Sequence, residues 1–143
     1  MSIKQISVFL ENKPGQLKAM TGTLAAANID MRALSLAETN EFGIARIIVD
    51  DVYEAYQVLK DADFIARLTS VFAVAVPDEP GGLDKLLQIF ADANVNIEYM
   101  YAFLGTDKKH AYMIFRVKDS KQAEGKLAGK GLKILSQEDI AAM

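Results

Sequence analysis

The sequence predicts an α+β fold made of two βαββαβ units, each an antiparallel sheet with its helices on one face. Two observations predict it: a turn-and-helix motif that occurs twice at a fixed offset, and alternating apolar runs on either side of each copy. Asn12-Lys13-Pro14-Gly15-Gln16-Leu17 opens a segment ending at Ala27-Asn28-Ile29-Asp30-Met31, and Asp78-Glu79-Pro80-Gly81-Gly82-Leu83 opens one ending at Ala93-Asn94-Val95-Asn96-Ile97. The Pro, the Leu and the Asn all recur at an offset of 66 residues. A constant offset over a stretch this long means duplication, because chance Pro-Gly pairs would not carry the later Leu and Asn in register. A length of 143 residues suits one ordinary domain or two very small ones, and the repeat decides for two, 1–69 and 70–143.

Each element follows in order. Lys4 to Leu10 alternates, with Ile6, Val8 and Leu10 on one face and Ser7 and Phe9 on the other, as a half-buried strand does. Pro14-Gly15 ends that strand with a turn and starts a helix near the Pro, over 14–28, since a fixed φ suits a first helical turn. Leu17, Met20, Thr21 and Leu24 fall at helical spacing, and Asn28 suits a left-handed C-terminal cap. Met31 to Thr39 reads as a second strand, Asn40-Glu41-Phe42-Gly43 as turn residues, and Gly43 to Val49 as a third strand. Asp51 caps a helix in which Val52, Ala55, Tyr56 and Leu59 recur at helical spacing. Phe64 to Leu68 is a fourth strand that runs almost unbroken into the apolar run from Val71 to Val76. No Gly/Ser linker divides the halves, so a fixed relation between them is expected.

The second half repeats the order: strand 70–76, helix 80–94 with Leu83, Leu86, Leu87 and Phe90 on one side, strand 96–104, a turn around Gly105-Thr106-Asp107, strand 110–117, helix 119–128 and strand 132–135. The offset here becomes 68, as Asp51 with Asp119 and Leu59 with Leu127 show. The two extra residues fall in the second hairpin, where insertions are tolerated. Gly125 weakens the last helix from within. This order is the split-βαβ or ferredoxin-like arrangement.

Composition excludes several functions. Cysteine is absent, so there are no disulfides and no thiolate metal sites. A net charge of −3 argues against nucleic-acid binding, which needs clustered cations to neutralise phosphates. No apolar run is long enough for a membrane span, and Met1-Ser2-Ile3-Lys4 begins a strand, so a cytoplasmic protein is expected. Lys108-Lys109-His110 reads as a solvated hairpin tip. No nucleophile has a neighbouring base, His110 stands alone, and neither a phosphate loop nor a set of metal ligands is present. An enzyme is not expected, and no cofactor is called for. Asp50-Asp51 and Glu138-Asp139 read as helix-start charges. Tyr99, Tyr101 and Tyr112 read as half-buried strand residues or as the wall of a pocket.

The binding chemistry lies in the turns. A helix N-terminus presents unpaired N–H groups and a positive dipole end, which together attract a carboxylate. Gly15 or Gly81 has no Cβ to block a ligand, and Asn12, Asp78, Asp30 and Asn96 offer oxygens to an ammonium group. The strand, the Asx-x-Pro-Gly-x-Leu turn, the amphipathic helix and the Asn-Ile-Asp or Asn-Val-Asn entry to the next strand resemble the ACT domain family, twice over nearly the whole chain. The resemblance implies sensing of a free amino acid, often at an interface between two domains, and regulation of an enzyme of amino-acid metabolism. It also suggests crossing the repeats, so that Asn12, Lys13, Pro14, Gly15, Gln16 and Leu17 face Asn96 and Ile97. The converse site would hold Asp78, Glu79, Pro80, Gly81, Gly82 and Leu83 with Asp30 and Met31. The first site offers neutral carboxamides and Lys13, so it is expected to take an ordinary zwitterion. The second gathers carboxylates, and is expected to stay vacant or prefer a cationic ligand. The rival reading is an interaction module that binds no small molecule and serves as the regulatory subunit of a partner enzyme. A homodimer is expected in either case, because Phe9, Ile44, Ile48, Tyr112 and Ile114 are left on the sheet face opposite the helices.

Overall fold

The computed structural model describes residues 3–38, 41–103 and 108–143; the turn expected at Gly105-Thr106-Asp107 and the residues Thr39, Asn40 and Leu104 lie outside them. The chain divides into two compact units, Lys4–Thr69 and Ser70–Met143, with Ile3 grouping with the latter. The first unit contains β1 (Ile3–Glu11), α1 (Gln16–Ala26), β2 (Met31–Glu38), β3 (Phe42–Val49), α2 (Val52–Asp61) and the start of β4 (Ile65–Pro77). The remainder of β4 opens the second, followed by α3 (Gly82–Asp92), β5 (Ile97–Phe103), β6 (His110–Val117), α4 (Ser120–Leu127), β7 (Lys133–Leu135) and α5 (Gln137–Ala142). The expected fourth strand and the strand after it are thus one strand of 13 residues.

Both units have the same strand order, β2-β3-β1-β4 in the first and β5-β6-β4-β7 in the second, and β1 with β3, β2 with β3, β4 with β6, β4 with β7 and β5 with β6 all pair antiparallel. Each sheet face with alternate apolar residues meets two helices. In the first unit Ile6, Val8, Leu10, Ala45, Ile47 and Val49 pack with Met20 and Leu24 of α1 and with Val52, Ala55 and Leu59 of α2. In the second, Phe72, Phe90 and Phe115 form the centre of the core, with the rings of Phe90 and Phe115 edge to face at 4.8 Å.

Local chemistry sets the helix ends. Asn28 and Asn94 are left-handed at φ 58° and 56°, and the N–H groups on either side close onto the last turn: Asn28 to Ala25 O and Ile29 to Leu24 O, then Asn94 to Ala91 O and Val95 to Phe90 O. This is the left-handed closure that the two asparagines led one to expect. Asp51 and Asp119 cap α2 and α4, their carboxylates accepting from Glu54 N (3.2 Å) and Gln122 N (3.0 Å).

The expected apolar face is smaller than the sequence suggested. Ile48 and Ile114 are fully buried and Tyr112 nearly so, while Phe9 is 36% exposed. Alternation assigns a residue to a face of the sheet; it does not say whether that face is covered.

Candidate functional site

The two Pro-Gly turns are built alike, hydrogen bond for hydrogen bond. In the first, the N–H of Asn12 donates to Glu41 O (3.0 Å), Lys13 to Glu11 O (2.9 Å), Gln16 to Lys13 O (3.4 Å) and Ala19 to Gly15 O (2.9 Å). In the second, Asp78 donates to Lys109 O (2.9 Å), Glu79 to Pro77 O (3.0 Å), Gly82 to Glu79 O (3.0 Å) and Lys85 to Gly81 O (3.0 Å). Gly15 and Gly81 are the N-caps, at φ 87° and 84°. A Cβ at either would meet nothing within 4 Å, so the backbone conformation, not crowding, calls for glycine. Pro14 and Pro80 therefore do not start the helices, as the sequence led one to expect; they lie in the turns, and α1 and α3 begin at Gln16 and Gly82. A left-handed residue interposed between Pro and helix ends any continuity of helical φ,ψ through the Pro.

Neither cap supplies a side chain to its helix. In α1 the N–H groups of Leu17 and Lys18 have no acceptor among the described residues, which leaves two donors at the positive end of the helix dipole. The first turn of α1 carries no acid, whereas that of α3 carries Asp84, the counterpart of Lys18.

The first turn borders a hollow of about 280 Å³. Asn12, Lys13, Gln16 and Leu17 line one side, and Leu10, Leu36, Glu38 and Gly43 the other. Three strands make the floor, with Gly43 of β3 registered against Leu10 of β1 on one edge and Glu38 of β2 on the other. Having no side chain, Gly43 leaves the space open; a Cβ there would stand 3.4 Å from Leu36 Cδ1. Leu36 is 52% exposed, so the floor is apolar and accessible. The rim is polar. Asn12 Nδ2 donates to Glu38 Oε2 at 3.5 Å, and Lys13 Nζ pairs with Glu11 Oε2 at 3.1 Å.

Reading the sequence missed Glu38, Leu36 and Gly43. A signal was present, since Gly43 is matched by Ala111 in the second repeat at the offset of 68. Gly82 also breaks the symmetry. A Cβ on it would collide with the Pro77 carbonyl, so this glycine packs the start of α3 against the end of β4. Its counterpart is Gln16, whose side chain borders the hollow.

The strand entries lie at the other ends of the helices, about 16 Å away for a helix of 11 residues. Within one unit, therefore, the structure does not bring turn and strand entry together. Asp30 borders a separate hollow of about 340 Å³; its N–H donates to Asp50 Oδ1 (3.1 Å) and its carboxylate pairs with Arg32 (3.1 Å). Met31 and Ile97 pack against the cores of their own units. Asn96 borders a third hollow, of about 730 Å³, beside the start of α4. Asp78, Glu79 and Pro80 are exposed in the second turn, and Leu83 packs against the core.

The remaining candidates have structural settings. His110 begins β6, with its ring 6.4 Å from that of Tyr112, which itself packs against Phe103 at 5.1 Å. Tyr99 and Tyr101 are half-buried on β5. Asp139 completes a capping box at α5, accepting from Ser136 N (2.8 Å) while Ser136 Oγ accepts from Asp139 N (3.1 Å). Its hydrogen bonds from the Ser136 backbone and side chain hold its carboxyl below the ordinary value of 3.8. Among the described residues no group of three or more His, Cys, Asp or Glu is arranged for a metal ion, and no helix is long and apolar enough to cross a membrane.

Two split-βαβ units in tandem, each with a glycine-capped helix start, define a class of paired α+β domains. The chain belongs to the ACT domain pair family, whose model matches residues 1–143. It is similar over 100% of its length to a solved protein from Bacteroides thetaiotaomicron, at 38% identity, covering 98% of that chain with a TM-score of 0.92. Regulatory subunits of aspartate kinase from Thermus thermophilus and Thermus flavus share the fold at 18% and 19% identity, each aligned with 87% of this chain and with 89% and 87% of their own, at TM-scores of 0.63 and 0.60. No curated protein matches.

Proposed function

We propose that this ACT domain pair is a non-enzymatic regulatory protein that binds a free amino acid in the hollow at the start of α1. The observation that carries the reading is the lining of that hollow. The Leu17 amide suits a carboxylate, Glu38 and Asn12 suit an ammonium group, and Leu10, Leu17 and Leu36 suit an uncharged side chain. Pro14 and Gly15 hold the helix start open. We further propose, from the family resemblance, that Asn96 and Ile97 belong to the same functional site. The turn of Asp78, Glu79, Pro80, Gly81, Gly82 and Leu83, with Asp30 and Met31, is proposed as a second, acidic site that disfavours a zwitterion. Asp84 supports that assignment, since it places a further carboxylate at the helix start. The protein is proposed to work as a cytoplasmic homodimer that governs an enzyme of amino-acid metabolism. The experiment is a thermal-shift screen of the purified chain against the twenty amino acids. A ligand at a hundred times its Kd adds about 2.7 kcal/mol to stability, well within reach of the measurement. If none of the twenty raises the midpoint at millimolar concentration, the amino-acid reading is wrong.

A further inference from the structure

The duplication allows one corner of the fold to be compared with itself. At the offset of 68, Asp50, Asp51, Tyr53, Glu54 and Val58 stand where Lys118, Asp119, Lys121, Gln122 and Lys126 stand in the second repeat. Both corners are built from the same parts: the end of a core strand, an Asp N-cap and the first turn of a helix. Their charge is opposite. The first carries Asp50, Asp51 and Glu54 at the helix start, with Asp30 donating its N–H to Asp50 and pairing its carboxylate with Arg32. The second gathers Arg116, Lys118, Lys121 and Lys126 around Asp119 and Glu98, in a chain whose net charge is −3. Lys118, Lys121 and Lys126 are exposed and make no ion pair among the described residues.

Shape differs in the same complementary sense. The acidic corner projects Tyr53, 68% exposed, between Asp51 and Glu54. The basic corner is concave, with its lysines around the hollow of about 730 Å³ that Asn96 and Val95 also border. We propose that the two corners are the two halves of one interface between copies of this chain. The Tyr53 knob of one chain seats in the basic hollow of another, its ring against the lysine side chains and its flanking carboxylates against their ammonium groups. A compact free anion suits the hollow less well. The start of α4 is already capped by the Asp119 carboxylate, which takes up the Gln122 N–H that a small anion would use. Each chain carries one knob and one hollow, so the contact is made twice across a two-fold axis or once per step in a ring or filament.

This contact deepens the homo-oligomer reading and does not depend on amino-acid binding in the hollow at α1, but it covers Asn96 and so competes with the assignment of Asn96 to the amino-acid site. The test is the mass of the full chain by light scattering, at low and at molar salt. The probes are a knob-reversed variant, Tyr53→Lys with Glu54→Lys, and a hollow-reversed variant, Lys121→Glu with Lys126→Glu. None of these residues borders the hollow at α1. The wild type should be oligomeric and should lose mass as salt shortens the range of the attraction. Each variant should fall to monomer with an unchanged circular dichroism spectrum. An equimolar mixture of the two should regain the oligomer, because every knob in it can then face a hollow of opposite charge. Variants that keep the wild-type mass, or a mixture that stays monomeric, overturn the contact and leave the oligomer standing on another surface. A monomeric wild type overturns both.

Discussion

Replacing Gly43 by Ala tests the hollow at α1 with a single methyl group. That methyl would lie 3.4 Å from Leu36 Cδ1, 3.7 Å from Ala37 O and 4.0 Å from Leu10 O, which are ordinary contact distances. Gly43 is not among the residues at positive φ, so the strand accepts Ala without backbone strain. The unfolded chain loses freedom, which favours the fold by about 0.4–1 kcal/mol. The ligand, in contrast, meets a filled floor. Forcing an extra methyl into a packed apolar contact costs about 1–3 kcal/mol, or roughly a five- to 150-fold rise in Kd. The assay pairs titration calorimetry, using the amino acid found in the thermal-shift screen, with urea unfolding of the free protein. The expected result is an unfolding midpoint equal to or above that of the wild type, together with the rise in Kd. An unchanged Kd would refute the placing of the ligand over Gly43, and a lowered midpoint would refute the claim that the space there is free.

Asn12→Ala and Glu38→Gln should each weaken the same ligand by about 1 kcal/mol, the loss of one hydrogen bond, while Asp78→Ala leaves it unchanged; calorimetry giving equal losses for Asn12→Ala and Asp78→Ala means the wrong turn was chosen. Asn96→Ala should also weaken binding by about 1 kcal/mol if its amide reaches the ligand, and full affinity in that variant removes Asn96 from the site. Gly15→Ala should destabilise the fold by about 1–2 kcal/mol through the left-handed cap, read from urea midpoints; a neutral result would mean that the turn relaxes. The folded pKa of Asp139 is depressed, so the stabilisation it gives α5 is present above 3.8 and lost as pH falls through its folded value. Protection of the amides of residues 137–142, corrected for their intrinsic exchange rates, should therefore fall in strong acid, and Asp139→Asn should remove that pH dependence; if it does not, the Asp139 carboxylate is not its cause.

Much of the fold was legible because its signals are local. The offset of 66 residues reappears as matched hydrogen bonds in the two turns, and Asn28 and Asn94 take the left-handed form that few other residues tolerate. The start of each helix was read one step too early. Pro followed by Gly fits a helix with Pro in its first turn and also a turn closed by a left-handed Gly, and only the backbone decides between them. The helix α5 was legible only as paired acids at Glu138-Asp139. Six residues are too few to show helical periodicity, although Ser136 with Asp139 is a capping-box pattern. The burial of Ile48 and Ile114 was beyond a reading by alternation, which sees one strand at a time.

The site was half legible for a related reason. Asn12, Lys13, Gln16 and Leu17 are consecutive or nearly so, and a motif shows them; Glu38 and Gly43 reach the same hollow only because β3 lies between β1 and β2. Once that register is known, the differences between the repeats around the turn acquire a common sense. Lys13 faces Glu79 in the alignment, Gln16 faces Gly82, Lys18 faces Asp84 and Gly43 faces Ala111. The backbone of the turn is the same in both copies, so folding does not require these four changes. In the first copy they add two cations near a helix start with free amides and open its floor. In the second they add two carboxylates, draw the helix onto Pro77 and put a methyl where the gap would be. Gly43 is 28 residues from Gly15 in sequence; it adjoins the turn through its pairing with Leu10 and borders the same hollow. The proposal that the hollow, and not the turn alone, takes the ligand rests on these four positions together.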